Sequence, residues 1–328
     1  MRRLLANKWF ALVNSLAIFG LLFWWMASHL DFGAMVAVWG RLDPVWFSTV
    51  IGVMGLVVLA ATLRLQGLVE HVGGRPVDFV ALARISFVSL FIAHGAPISA
   101  LSDVARVAMV KLRFDLPVGD AIRVVIYDRI VGALGIVFSG LVVSMALPVV
   151  DIDSDLLTYQ TLLWAGGICA FLLLVWAGRA KLQVPWRPVA AVLDGIAGLG
   201  NLLGHAGFLV PQAAIALMFT GCIGLVLWLI AVSMNVPADP IVLFVFTPLI
   251  VFVNNIPFLY LGWGGREVVV VATLGAIGGM PTPEALAISI TYGFVVMLSA
   301  LPGAVLWLLR PTFRKLTAVT AAGIGQTP

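Results

Sequence analysis

The stretch Pro257-Phe258-Leu259-Tyr260-Leu261-Gly262-Trp263-Gly264-Gly265-Arg266-Glu267 sits inside a long apolar run. It brings together a helix breaker, three glycines and an adjoining cation and anion. Ionisable side chains at membrane depth are costly, so they are expected to face a polar interior or a substrate path. Arg266 and Glu267 are therefore the first candidate site. Gly262, Gly264 and Gly265 permit positive φ and close backbone approach. A helix beginning near Arg266 would then present N–H groups suited to an anion. The competing reading, that these glycines serve only tight helix packing, is outweighed by the charged pair beside them.

Composition sets the class outward from that stretch. Of 328 residues, 62% are hydrophobic and only 10% charged, with a mean hydropathy of +1.11. Such a chain lacks the polar surface to cover a soluble globule, and several apolar runs reach the ~20 residues that cross a bilayer. A polytopic all-α membrane protein is expected. The net charge of +4 does not point to nucleic acid, because the basic residues fall in short clusters beside apolar runs rather than along one polar face. Cys169 and Cys222 each lie inside an apolar run, which supports neither a disulfide frame nor a thiolate metal site. No cofactor or metal is expected. The sequence has no H-E-x-x-H, G-x-S-x-G or P-loop motif, so the expectation is a protein that is not an enzyme.

Six full spans are expected: Trp9 to Ser28, Val45 to Leu63, Val124 to Leu147, Leu156 to Ala177, Phe208 to Met234 and Ala285 to Leu309. The first follows Arg2, Arg3 and Lys8 and reads as a retained signal anchor. Basic clusters at Arg2/Arg3/Lys8, Arg64/Arg75, Arg106/Lys111/Arg113/Arg123, Arg179/Lys181/Arg187 and Arg310/Arg314/Lys315 alternate with connections carrying Asp31, Asp43, Asp151, Asp153, Asp155, Asp239 and Glu284. Positive residues favour the cytoplasmic side, which places both termini there.

Two apolar regions are interrupted. Val77 to Ile98 lies between basic connections and is broken by His94, Gly95 and Pro97, so it reads as a re-entrant hairpin from the cytoplasm. Ile241 to Met280 lies between Asp239 and Glu284 and carries Asn254, Asn255 and the glycine-rich turn, so it reads as a second hairpin from the opposite face. Oppositely entering hairpins between full spans form an inverted-repeat arrangement, in which broken helices meet near the midplane around a binding site. The alternative is that one or both regions cross the membrane. The whole of 1–315 reads as a single transmembrane domain, with 316–328 a short cytoplasmic tail expected to be disordered.

Other charged residues fall at depth or beside it. Asp128 and Arg129 lie inside an apolar region and, as helix neighbours, should pair with different partners. Asp103 and Arg106 are three apart on an expected short interfacial helix from Ala100 to Arg113. Contact with lipid headgroups and a place in the site are both open for them. His94 reads as a satisfied structural histidine or, less readily, as a titrating group in a transport cycle.

These motifs resemble those of the flippase-like transmembrane family found in the membrane region of lysylphosphatidylglycerol synthase and in its stand-alone relatives. Leu101-Ser102-Asp103-Val104-Ala105-Arg106 keeps the Asp and Arg of the family's Gly-Gly-Asp-x-x-Arg pattern. Asp128-Arg129 matches its Asp-Arg pair. Pro257 with Gly262-Trp263-Gly264-Gly265-Arg266-Glu267 matches its proline and glycine-rich turn. The resemblance runs from about Lys8 to Arg310. It implies movement between leaflets of an anionic, aminoacylated, polyprenyl or hopanoid-type lipid, in a bacterial or archaeal cytoplasmic membrane. Aminoacyl transfer in the two-domain relatives belongs to a soluble domain that this chain is expected to lack. On this reading Arg129, Arg266 and Arg106 attract a phosphate-bearing headgroup. Asp103, Asp128 and Glu267 balance them, and Gly262, Gly264 and Gly265 shape the turn. A lipid-modifying enzyme is a possible partner. A small-solute or ion transporter and an accessory lipid-presenting subunit are the alternatives.

Overall fold

The computed structural model describes residues 32–95, 100–146, 154–180, 187–255 and 264–309. The expected first span, the 316–328 tail, Pro257 and Gly262 lie outside them. Among the described residues the chain is helical without strands. The helices are α1 (Phe32–Trp39), α2 (Pro44–Gly73), α3 (Phe79–Gly95), α4 (Ala100–Phe114), α5 (Val118–Ala146) and α6 (Ser154–Arg179). They continue with α7 (Arg187–Leu203), α8 (Ala206–Ser233), α9 (Pro240–Asn254), α10 (Gly265–Val270), α11 (Thr282–Ser299) and α12 (Leu301–Leu309). A π-helical stretch, Val271–Ile277, prolongs α10.

Among the described residues, five helical stretches are long and apolar enough to cross a bilayer: Pro44–Gly73, Val118–Met145, Thr158–Arg179, Ala206–Ser233 and Thr282–Leu309. They coincide with the five expected spans that fall on described residues. The last joins α11 and α12. By contrast α3 and α9, at 17 and 15 residues, extend only about 26 and 23 Å at 1.5 Å per residue, less than the ~30 Å hydrocarbon layer. The segment 77–98 differs in detail from its reading as a hairpin. A single helix fills 79–95, because His94 and Gly95 do not interrupt helical bonding, and the next limb is α4, which packs against α3.

Local chemistry sets the ends of the central elements. Asp43 caps α2 by accepting the Val45 N–H at 2.8 Å, Pro44 occupies the first turn, and Gly74 at φ 65° ends the helix in the left-handed region. The same device starts α9, where Asp239 accepts the Ile241 N–H at 2.8 Å beside Pro240. Helix α2 is the post around which the rest assembles. It packs most extensively on α8 and also touches α3, α5 and α11. Its Val50, Met54 and Val57 enter one buried apolar cluster with α8, α9 and α11, and its Leu65, Leu68 and Val69 enter a second with α3, α4, α5 and α7. Close approach of α12 to α3 depends on Gly303, where a Cβ would collide with the Phe87 carbonyl oxygen. The functional residues collect where the two clusters meet along α2.

Candidate functional site

A cavity of about 300 Å³ opens at that junction. Its apolar lining includes Met54, Val57, Val58, Leu65, Leu90, Phe219 and Ile223, and its polar lining includes Arg64, Arg106, Asp128, Arg129 and Arg266 with His94, Asn254, Asn255 and Tyr292. Residues separated by more than two hundred positions are brought together because α2, α3, α4, α5, α8, α9, α10 and α11 each lend a short stretch.

Asp128 is the electrostatic hub. Its side chain is 2% exposed and accepts from Arg64 Nε at 2.8 Å and from Arg106 Nη1 at 3.0 Å. Gly132, one turn further along α5, makes room for this contact, since a Cβ there would stand 3.1 Å from Arg64 Nη1. Arg129 turns to a different partner, as the 100° step between helix neighbours requires. Its Nη2 lies 2.6 Å from Asp103 Oδ1. Asp103 and Arg106 on α4 therefore do not pair with each other. They project from one face of α4 onto Arg129 and Asp128 of α5, and two ion pairs fasten the helices. Arg106 Nε is buried without a partner.

Arg266 and Glu267 are 2% and 3% exposed and pair with each other at 2.6 Å. Helix neighbours ordinarily diverge, but these two stand in the first turn of α10, where the Glu267 carboxylate folds back to accept the Gly264 N–H at 2.6 Å. Gly264, at φ 87°, adopts a conformation that suits glycine. Ser289 donates to Glu267 Oε1 and accepts from Arg266 Nε, each at 3.1 Å, and the Tyr292 ring lies 5.5 Å from the Arg266 guanidinium carbon. The Gly264 N–H expected to meet an external anion is thus already held by Glu267, and the Arg266 guanidinium is the group from this turn that lines the cavity.

Four sequence candidates, Arg106, Asp128, Arg129 and Arg266, line one cavity. Asp103 and Glu267 stand beside it as ion-pair partners of lining arginines. Gly264 and Gly265 begin α10 without lining it, and Gly262 lies outside the described residues. Arg64 was the residue missed, because it was read as one of the basic residues that mark a cytoplasmic connection. No local signal separates it from such a marker, since only the continuation of α2 to Gly73 places it within the helix. Taken together, four lining arginines face three carboxylates, which leaves an excess of one positive charge. Among the described residues no group of His, Cys, Asp and Glu could hold a metal ion.

A family model described as the lysylphosphatidylglycerol synthase TM region matches residues 12–303. No curated protein matches the chain.

Proposed function

This chain belongs to the lysylphosphatidylglycerol synthase transmembrane-region family, and from that membership and the charged cavity we propose that it moves an anionic lipid between leaflets. It is a multi-pass membrane protein of a family tied to lipid handling. The observation that carries the reading is a cavity lined by both charged and apolar side chains, with one positive charge in excess. A phosphodiester monoanion neutralises that excess, while its acyl chains stay in surrounding lipid.

Depth supports the same reading. Asp128 is four residues inside the expected span that opens at Val124, about 6 Å along the axis of α5, and Asn254 is fourteen residues into α9, about 21 Å along. Helices that begin on opposite faces, as the charge asymmetry of the connections suggests, would then meet within the cytoplasmic half of a ~30 Å hydrocarbon layer. The proposed architecture makes α3 with α4 one re-entrant hairpin and α9 with α10 the other, in an inverted repeat with cytoplasmic termini. The lipid phosphate competes with Asp128 and Glu267 for the guanidiniums and loosens the ion pairs between α4 and α5. Relative movement of the hairpins then exposes the headgroup to the other side. No covalent chemistry is asked of the protein, so it acts as a transporter rather than an enzyme. A lipid-modifying enzyme in the same membrane would supply or consume its cargo.

The test is reconstitution of the intact protein into liposomes with tail-labelled anionic and zwitterionic phospholipids, followed by reduction of outer-leaflet label. Accelerated exchange of the anionic lipid, lost in Arg266→Ala and Glu267→Ala, is the expected result. Solute uptake without lipid exchange would replace the proposal with a small-solute transporter.

A further inference from the structure

The arginines account for only half of the cavity's hydrogen-bonding chemistry. A guanidinium donates and never accepts, so any ligand that satisfied only these groups would consist wholly of acceptors. The cavity also offers the opposite chemistry. Asn254, the last residue of α9, lines it with Oδ1 buried and unpartnered. An unmet buried carbonyl is an unfavourable arrangement that a ligand donor relieves.

His94 supplies a second acceptor. Its Nδ1 lies 2.8 Å from the Leu90 carbonyl oxygen in the preceding turn of α3. A carbonyl only accepts, so Nδ1 carries the proton. Among the described residues no contact engages Nε2. The charged groups sharing the cavity with this ring are Arg64 on α2, Arg106 on α4, Asp128 and Arg129 on α5, and Arg266 on α10. With the proton on Nδ1, Nε2 of the neutral ring carries the lone pair that can accept a hydrogen bond.

A bare phosphate or a headgroup capped by an alkyl group would satisfy the arginines and leave Asn254 Oδ1 and His94 Nε2 unmet. We propose that Asn254 and His94 read the part of the headgroup beyond the phosphate, accepting hydrogen bonds from a hydroxyl or ammonium donor. They thereby favour monoanionic phosphodiester lipids that carry such a donor over lipids of equal charge that lack one. This rests on the lipid-translocation reading and adds the two residues that set its selectivity.

Two lipids of identical charge separate the terms. Phosphatidylglycerol ends in hydroxyl donors, and phosphatidylmethanol ends in a methyl group on the same phosphodiester. In liposomes containing the intact protein, tail-labelled phosphatidylglycerol should exchange about tenfold faster than phosphatidylmethanol, the order of selectivity that one or two satisfied acceptors supply. Asn254→Leu and His94→Leu should each narrow that ratio to within about threefold. The unsubstituted protein already answers the main question, so a variant that fails to fold cannot conceal the result. Equal exchange of the two lipids by the unsubstituted protein would overturn the assignment while leaving lipid translocation intact. An undiminished preference in both variants would also overturn it. Failure of both lipids to exchange would remove the translocation reading and this one with it.

Discussion

Replacing Asp128 by Asn removes the charge that holds Arg64 and Arg106 together while keeping the side chain's shape. The carboxylate is 2% exposed, and the two arginines are each 17% exposed. Breaking a buried bridge by deleting one partner costs about 3–5 kcal/mol, chiefly because the remaining charge is left uncompensated. The residual exposure of the two guanidiniums puts the expected cost near the lower end, about 3 kcal/mol. Asn can still accept one neutral hydrogen bond through Oδ1, but its amide N–H groups oppose the second guanidinium. At roughly 2–4 °C per kcal/mol for chains of 150–250 residues, the apparent melting temperature in detergent should fall by on the order of 5–10 °C. Added anionic lipid should recover part of the loss, because an external phosphate can occupy the place of the missing charge. The triple variant Arg64→Met, Arg106→Met, Asp128→Leu removes the whole bridge and should melt close to the unsubstituted protein, since well-packed apolar replacements of buried ion pairs are often neutral. That variant should nevertheless fail to exchange anionic lipid. A melting temperature for Asp128→Asn within about 2 °C of the unsubstituted protein would refute the reasoning.

Three further outcomes follow from the same geometry. Gly132→Ala places a methyl 3.1 Å from Arg64 Nη1, so it should displace that guanidinium and slow anionic lipid exchange several-fold with only a modest fall in melting temperature. Gly303→Ala puts a methyl against the Phe87 carbonyl oxygen, where backbone must give way, so it should cost about 1–3 kcal/mol and be seen as a lowered melting temperature. Asp103→Asn breaks a pair whose side chains are 51% and 32% exposed, and solvent screening limits the stability cost to about 0.2–1 kcal/mol. A melting temperature indistinguishable from the unsubstituted protein is therefore expected for it.

The spans were legible because a bilayer demands long apolar helices, and Pro44–Gly73 and Ala206–Ser233 announce themselves by run length alone. Asp128, Arg129, Arg266 and Glu267 were legible for the complementary reason, as charges where apolar sequence was required. The divergence of Asp128 and Arg129 to separate partners followed from helical geometry. Arg64 was not legible because a basic residue at the end of an apolar run has the same appearance whether it marks the cytoplasmic side or turns inward. Only the continuation of α2 to Gly73 shows that Arg64 sits within the helix. His94 and Gly95 suggested a break in α3, yet both remain helical, since neither residue forbids helical dihedrals. The contribution of Tyr292 depends on α11 packing against α10, a tertiary fact with no local pattern.

The most direct measurement compares leaflet exchange of one anionic and one zwitterionic phospholipid by the unsubstituted protein and by the double variant Arg106→Gln, Arg266→Gln. An excess of cavity cations predicts faster exchange of the anionic lipid by the unsubstituted protein and loss of that difference in the double variant. Equal exchange of both lipids, or an anionic preference that survives the double substitution, would contradict the assignment of the headgroup to this cavity.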